Sequence, residues 1–141
     1  MKIRVILILS FIYTVQQASA QKPGIKNNTM YFLSSVFVDH KKNTLVKDKG
    51  HIVFDTKLNT AACFTSCNFI HLTYSMNKQA IKFSTVKAEG DPCPDILLGI
   101  EEDLKSILPK ISYYKCNGRD LVFMNNKDTL MVFYEKEISK K

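Results

Sequence analysis

The side chains with the most chemistry to offer are four cysteines, Cys63, Cys67, Cys93 and Cys116, and three histidines, His40, His51 and His71. Cys63, Cys67 and His71 stand at i, i+4 and i+8, which on a helix would form one stripe of zinc ligands. Their neighbours Phe64, Thr65, Phe69, Ile70, Thr73 and Tyr74 favour a strand instead. On a strand each four-residue step covers about 13 Å. That is too far for side chains that must meet one ion through bonds of about 2.0 to 2.3 Å. Neither a metal nor another cofactor is expected. The same distance argues against a Cys63–Cys67 bridge, because a disulfide holds its Cα atoms roughly 5.5 Å apart. Two pairings stay open: 67–93 with 63–116, or 63–93 with 67–116. Either closes long loops, and in the chain-entropy view each bridge would contribute about 3 to 4 kcal/mol.

An enzyme would need a nucleophile and a base with a supporting frame. Neither a G-x-S-x-G elbow nor an H-E-x-x-H helix occurs, and the closest cysteine pair is C-x-x-x-C, not the C-x-x-C of a thiol oxidoreductase. Oxidised cysteines are not nucleophiles. The acidic run Glu101-Glu102-Asp103 lacks the spaced oxygen ligands of a calcium loop and reads as a solvated helix face. A non-enzymatic protein is therefore expected.

The elements that must position these residues begin with an export leader. Lys2 and Arg4 precede an uncharged, mostly apolar run from Val5 to Val15, and Ala18-Ser19-Ala20 is a small-x-small cleavage site, so residues 1–20 read as a signal peptide. The run is well short of the roughly 20 residues that a spanning helix needs. The mature protein should be periplasmic or secreted, without a transmembrane segment. That setting favours disulfides for an even number of cysteines. Losing Lys2 and Arg4 lowers the formal charge of +7 by two. Arg119 is then the only arginine. Nucleic-acid readers rely on Arg forks, so nucleic acid is not an expected partner. Lys41, Lys42, Lys47 and Lys49 cluster around Asn43 and Thr44, a solubilising loop before it is an anion-seeking patch.

Residues 21–29 read as a flexible leader with Pro23-Gly24, and residues 137–141 as a lysine-rich tail. Between them, strands are expected at 31–39, 52–55, 61–76 with a break near Cys67-Asn68, and 80–85. Asn117-Gly118 marks a hairpin turn between strands at 112–116 and 119–124, and Asn125 to Asp128 turns into a third strand at 129–135. Pairing outward from these turns sets Tyr114 opposite Leu121, and Phe123 near Leu130. One face then carries Tyr114, Leu121, Phe123, Leu130, Val132 and Tyr134. The other carries Tyr113, Val122, Met124, Met131 and Phe133, a candidate apolar contact face unless other elements cover it. Leu97, Ile100, Leu104 and Ile107 repeat at helical spacing after Pro94 and Asp95, and Pro109 ends the run. The fold class is α+β: mainly antiparallel β, as a compact sheet or partly closed barrel, with one packed helix.

In this order stand Met30-Tyr31-Phe32-Leu33, Ile52-Val53-Phe54-Asp55, Ser66-Cys67-Asn68, Pro92-Cys93-Pro94-Asp95, Ile100-Glu101-Glu102-Asp103-Leu104, Tyr113-Tyr114 and Asp120-Leu121-Val122-Phe123. Together they resemble the META domain of HslJ-like bacterial envelope proteins, over about residues 30 to 136. The family often has Trp early in its first strand and Gly before the Cys-Asn pair, where this chain has no Trp and carries Ser66. The resemblance implies an exported or surface-attached β protein with one helix, linked to heat or envelope stress and without an established catalytic activity. It marks Cys67, Asn68, Cys93, Pro94 and Asp95 as motif positions, and it implies the pairing 67–93 with 63–116. Three readings follow: a non-enzymatic envelope protein acting by binding or surface contact, with a proteinase inhibitor as a variant; a carrier of a small apolar ligand in a barrel-like cavity; and, least favoured, an enzyme.

Overall fold

Buried and outward residues alternate through most strands of the computed structural model, which describes residues 24–90 and 92–136. The expected signal peptide and lysine-rich tail lie outside the described residues. Strand β1 (Met30–Val38) turns into the short β2 (Lys41–Asn43); then come β3 (His51–Asp55), β4 (Thr60–Phe64), β5 (Phe69–Asn77) and β6 (Ala80–Glu89). Helix α1 (Asp95–Ile107) and a 3-10 turn (Leu108–Lys110) lead into β7 (Tyr113–Asn117), β8 (Asp120–Asn125) and β9 (Asp128–Glu135). All paired strands are antiparallel. The order β1-β3-β4-β5-β6-β7-β8-β9 closes because β9 pairs back onto β1, giving an eight-stranded barrel with β2 as an extension of β1. The narrowest seam is β6–β7, where Ala80 pairs with Tyr113 and the backbone N–H groups of Ile81 and Tyr114 donate to the carbonyls of Ser112 and Gln79.

Inward-facing rings fill the barrel. Phe54, Tyr74, Phe83, Phe123 and Phe133 form one chain of contacts with centroids 5.5 to 6.4 Å apart. Edge-to-face pairs of this kind add about 0.5 to 1.5 kcal/mol each beyond the area they bury. Ile100, Leu104, Ile107, Leu108 and Ile111 join the same core, so the helix and its 3-10 extension cap one end of the barrel. The helix forms where its periodicity placed it. Pro94 is its N-cap, Asp95 lies near the positive end of its dipole and Lys105 near the negative end. Pro109 ends the α-helix but sits within the 3-10 turn that follows.

Four expectations need correction. The first hairpin turns at Gly118-Arg119 and pairs Asn117 with Asp120, so Tyr114 faces Phe123, not Leu121. Only the first turn residue has positive φ, at 61°, as in a turn that requires glycine at that position. A register shift between Phe123 and Met124 then sets Phe123 opposite Met131 and Leu121 opposite Phe133. One extra residue reverses the parity of β9. Met131 and Phe133 are therefore fully buried, and Met124 is buried too, while Tyr113 is exposed and Val122 half-buried. The candidate contact face is thus divided between the interior and the outside. Strand β2 was not foreseen within the lysine loop. Finally, the flexible leader is anchored where it is described: Ile25 packs on the core, Asn28 N–H donates to the Phe54 carbonyl at 2.8 Å, and Asn27 Oδ1 accepts from Thr56 N–H at 2.8 Å.

Candidate functional site: an aromatic row on the outer wall

Parity within each strand decides which rings stand outside. Tyr31, Leu33, Ile52, Cys63, Ile70 and Phe133 are buried, so Phe32, His51, Phe64, Phe69 and Tyr134 project from the opposite face. Register then brings these five into line. Phe32 pairs with Tyr134 on one side and His51 on the other, His51 pairs with Phe64, and Phe64 with Phe69. Centroid separations along the row are 6.2, 6.0, 5.1 and 4.9 Å. Phe69 is 42% exposed, the others half-buried, and His71 stacks on Phe69 at 6.3 Å. Burial holds the His51 imidazole below its ordinary pKa, so the middle of the row is uncharged at neutral pH.

Polar ground borders the row. Beside Tyr134 a depression of about 450 Å³ is lined by Ser34, Lys47, Arg119, Asp120, Tyr134, Glu135 and Lys136. The Tyr134 hydroxyl donates to Asp48, Lys136 pairs with Asp48 at 3.0 Å, and the Lys136 ammonium lies 3.9 Å from the centroid of Phe32. Hydrogen bonds from Tyr134 and then Lys136 hold the Asp48 carboxyl below the usual range. Glu135 pairs with Lys26 at 2.5 Å. Alongside the row, the small Ala62 leaves a second depression, of about 440 Å³, between Val53 and His71.

Cys67, Cys93 and the other motif residues lie at the neighbouring corner, next to the helix. Cys67 and Cys93 form a disulfide with Cα atoms 6.0 Å apart, tying the β4–β5 corner to the segment before α1. Asn68 Nδ2 donates to Glu101 Oε2 at 2.7 Å, and Lys105 pairs with the other oxygen of that carboxylate. Thr65 N–H donates to the Asn68 carbonyl at 2.9 Å. Lys105 first, then Asn68, hold the Glu101 carboxyl below its ordinary range against the opposing effect of burial. The pairing 63–116 is not formed, since both are free thiols. Cys63 enters the core from β4 and Cys116 from β7, two walls separated by β5 and β6. Burial pushes the Cys63 thiol up to about 12. Cys63, Cys67 and His71 do not converge, because the first points inward, the second is bonded to Cys93 and the third stacks outside.

The META domain profile matches residues 26–138. The chain belongs to the META domain family. The sequence matches no curated protein. Among solved structures it is similar to a protein from Burkholderia xenovorans determined by NMR, with a TM-score of 0.64 and 16% identity over 78% of this chain and 83% of that one. A DUF4847 family protein from Bacteroides vulgatus gives a TM-score of 0.57 at 10% identity, over 80% of this chain and 97% of the other. At such identities the likeness is one of fold.

This META domain also explains its departure at Ser66. That residue has φ 75°, in the left-handed region where only glycine is unstrained, so the glycine common in the family is the residue that the backbone prefers there. The motif residues therefore serve as an anchor between barrel and helix. The outer row was missed by sequence reasoning. Its signal, aromatic or histidine side chains at outward positions of adjacent strands, becomes visible only once parity and register are both known.

Proposed function

We propose that this META-domain protein is an exported, non-catalytic binding protein that works through the outer wall of its barrel. The observation that carries the reading is the contrast between an interior filled by packed rings and an outer wall bearing a row of half-buried to exposed rings. Export is supported by the leader-like residues 1–20 and by the Cys67–Cys93 disulfide, since such bonds persist in oxidising compartments. The non-catalytic reading is supported by the state of the Cys63 thiol, which at about 12 stays protonated in the core. A role in envelope stress is what the HslJ resemblance implies, and a periplasmic or secreted location agrees with it.

The test is the intact mass of the protein recovered outside the cytoplasm, native and denatured, with and without reductant. A chain beginning at Gln21 that gains about two mass units on reduction, for one bridge, and carries no native adduct supports the reading. A retained leader overturns export. A native-only adduct of small apolar character turns the reading to a ligand carrier.

A further inference from the structure

We infer that Asn117 is a spontaneous modification site of the folded protein: its carboxamide closes onto the backbone nitrogen of Gly118, and the products, aspartate and isoaspartate, loosen β7 from the barrel. The inference is independent of the outer-wall reading above.

The reaction needs a free carboxamide, a free backbone nitrogen and room for a five-membered ring. The Gly118 nitrogen bonds to Asn117 Cγ, the Cγ–Nδ2 bond breaks, and the side-chain nitrogen leaves as ammonia with the proton of the backbone N–H. Water then opens the succinimide at one of its two carbonyls. One opening gives aspartate; the other gives isoaspartate, in which the main chain runs through the side-chain carbon. Glycine favours closure because it has no Cβ to crowd the approach. Asn117-Gly118 is the one Asn-Gly pair in the chain, and every other asparagine precedes a residue with a side chain.

The fold adds what the dipeptide alone does not. Asn117, Gly118, Arg119 and Asp120 are all exposed, and a Cβ placed on Gly118 would meet nothing within 4 Å. Neither the Asn117 carboxamide nor the Gly118 N–H has a hydrogen-bond partner among the described residues. Other asparagines are tied down: Asn27 Oδ1 accepts from Thr56 N–H, Asn43 Oδ1 accepts from Leu45 N–H, and Asn68 is buried with its amide on Glu101.

The consequence follows from register. Asn117 pairs with Asp120 to close the β7–β8 hairpin. Aspartate at 117 would set two carboxylates directly opposite, which destabilises an antiparallel pair. Isoaspartate also adds a carbon to the main chain there, so the paired bonds of the closing residues lose their alignment. Strand β7 has little else to hold it. All five of its residues pair with β8, whereas towards β6, among the described residues, Tyr113 pairs with Ala80 and Tyr114 N–H donates to the Gln79 carbonyl. A loosened hairpin thus loosens the narrowest seam of the barrel.

The experiment ages the exported protein at neutral and at mildly alkaline pH, then cuts after Lys115 and Arg119 to isolate residues 116–119. That peptide should gain the mass difference between a hydroxyl and an amino group, ahead of every other asparagine. The gain should be faster at the higher pH, because closure goes through the deprotonated Gly118 amide. Part of the product should take a methyl group from S-adenosylmethionine through an isoaspartyl methyltransferase, which leaves ordinary aspartate untouched. Aged protein should show a second set of amide signals confined to residues 113–124, with faster hydrogen exchange. Asn117→Gln should form no product and keep the fresh spectrum. Asn117→Asp should lower the denaturant midpoint without isoaspartate, which separates charge from chain lengthening. Conversion that begins at Asn77 or Asn126, or that reaches Asn117 only after reduction and denaturation, overturns the inference. Modified protein whose amide exchange equals that of fresh protein overturns the loosening of β7.

Discussion

Within six residues at the corner between β4 and β5 the chain changes from one kind of surface to another. Phe64 and Phe69 stand outside, 4.9 Å apart between ring centroids, while Thr65 and Asn68 are buried and Cys67 bonds to Cys93 ahead of the helix. The inward group is a polar knot tied through the Cys67–Cys93 bridge and the Asn68–Glu101 hydrogen bond, and it contains three of the words by which the chain resembles its family. The outward group keeps part of its ring surface exposed, most of all at Phe69, and of those words it contains only Phe32. The knot holds the helix on the barrel, and the row beside it is the part with something to offer a ligand. Stability and binding should therefore respond to different substitutions.

The largest effect should come from the knot. Replacing Cys67 and Cys93 together by Ser removes a bridge that closes a loop with a sequence separation of 26, and should cost about 3 to 4 kcal/mol in denaturant unfolding. Amide shifts of Phe32 and His51 should stay near their wild-type positions. A double variant as stable as wild type would show that the bridge is not what holds the corner. Glu101→Ala should come next, at about 1 to 3 kcal/mol, because it leaves the buried Asn68 amide without its carboxylate acceptor.

This carboxylate also fixes a pH dependence. Its folded pKa lies below the ordinary 4.5, so its contribution is complete above 4.5 and is lost as pH falls through the folded value. Acid unfolding should accordingly be steeper in wild type than in Glu101→Gln, and parallel curves would remove Glu101 from the account. A smaller change of opposite sign is expected for Ser66→Gly, a gain of about 0.5 to 1 kcal/mol from relief of the left-handed backbone. Smallest of all, Phe69→Ala should alter stability by no more than about 0.5 kcal/mol, since the ring is already 42% exposed. A loss of several kcal/mol there would make the row part of the core and end its separation from the knot.

Most of the fold was legible because its signals are local. Alternation marked β1, β3 and β8, Asn117-Gly118 marked the hairpin, and the spacing of Leu97, Ile100, Leu104 and Ile107 marked the helix and its buried stripe. The failure over the contact face has one cause. Both faces of β9 are apolar, so nothing in Leu130 to Tyr134 tells which set faces inward. The shift after Phe123 makes that choice, and it depends on pairing rather than composition. The outer row lies further from view. Phe32, His51, Phe64 and Tyr134 come from four separate strands and meet only through register. The 63–116 pairing failed for a related reason, because the spacing along the chain does not tell which wall of a barrel a residue enters from.

Closure of the barrel has a consequence for the order of events in folding. Leu33, in the first strand, pairs with Phe133, in the last. The seam between the first and last strands cannot form until almost the whole polypeptide is present, and contacts so distant in sequence are slow to find. A chain of this topology therefore holds one edge of β1 unpaired during synthesis until β9 has emerged.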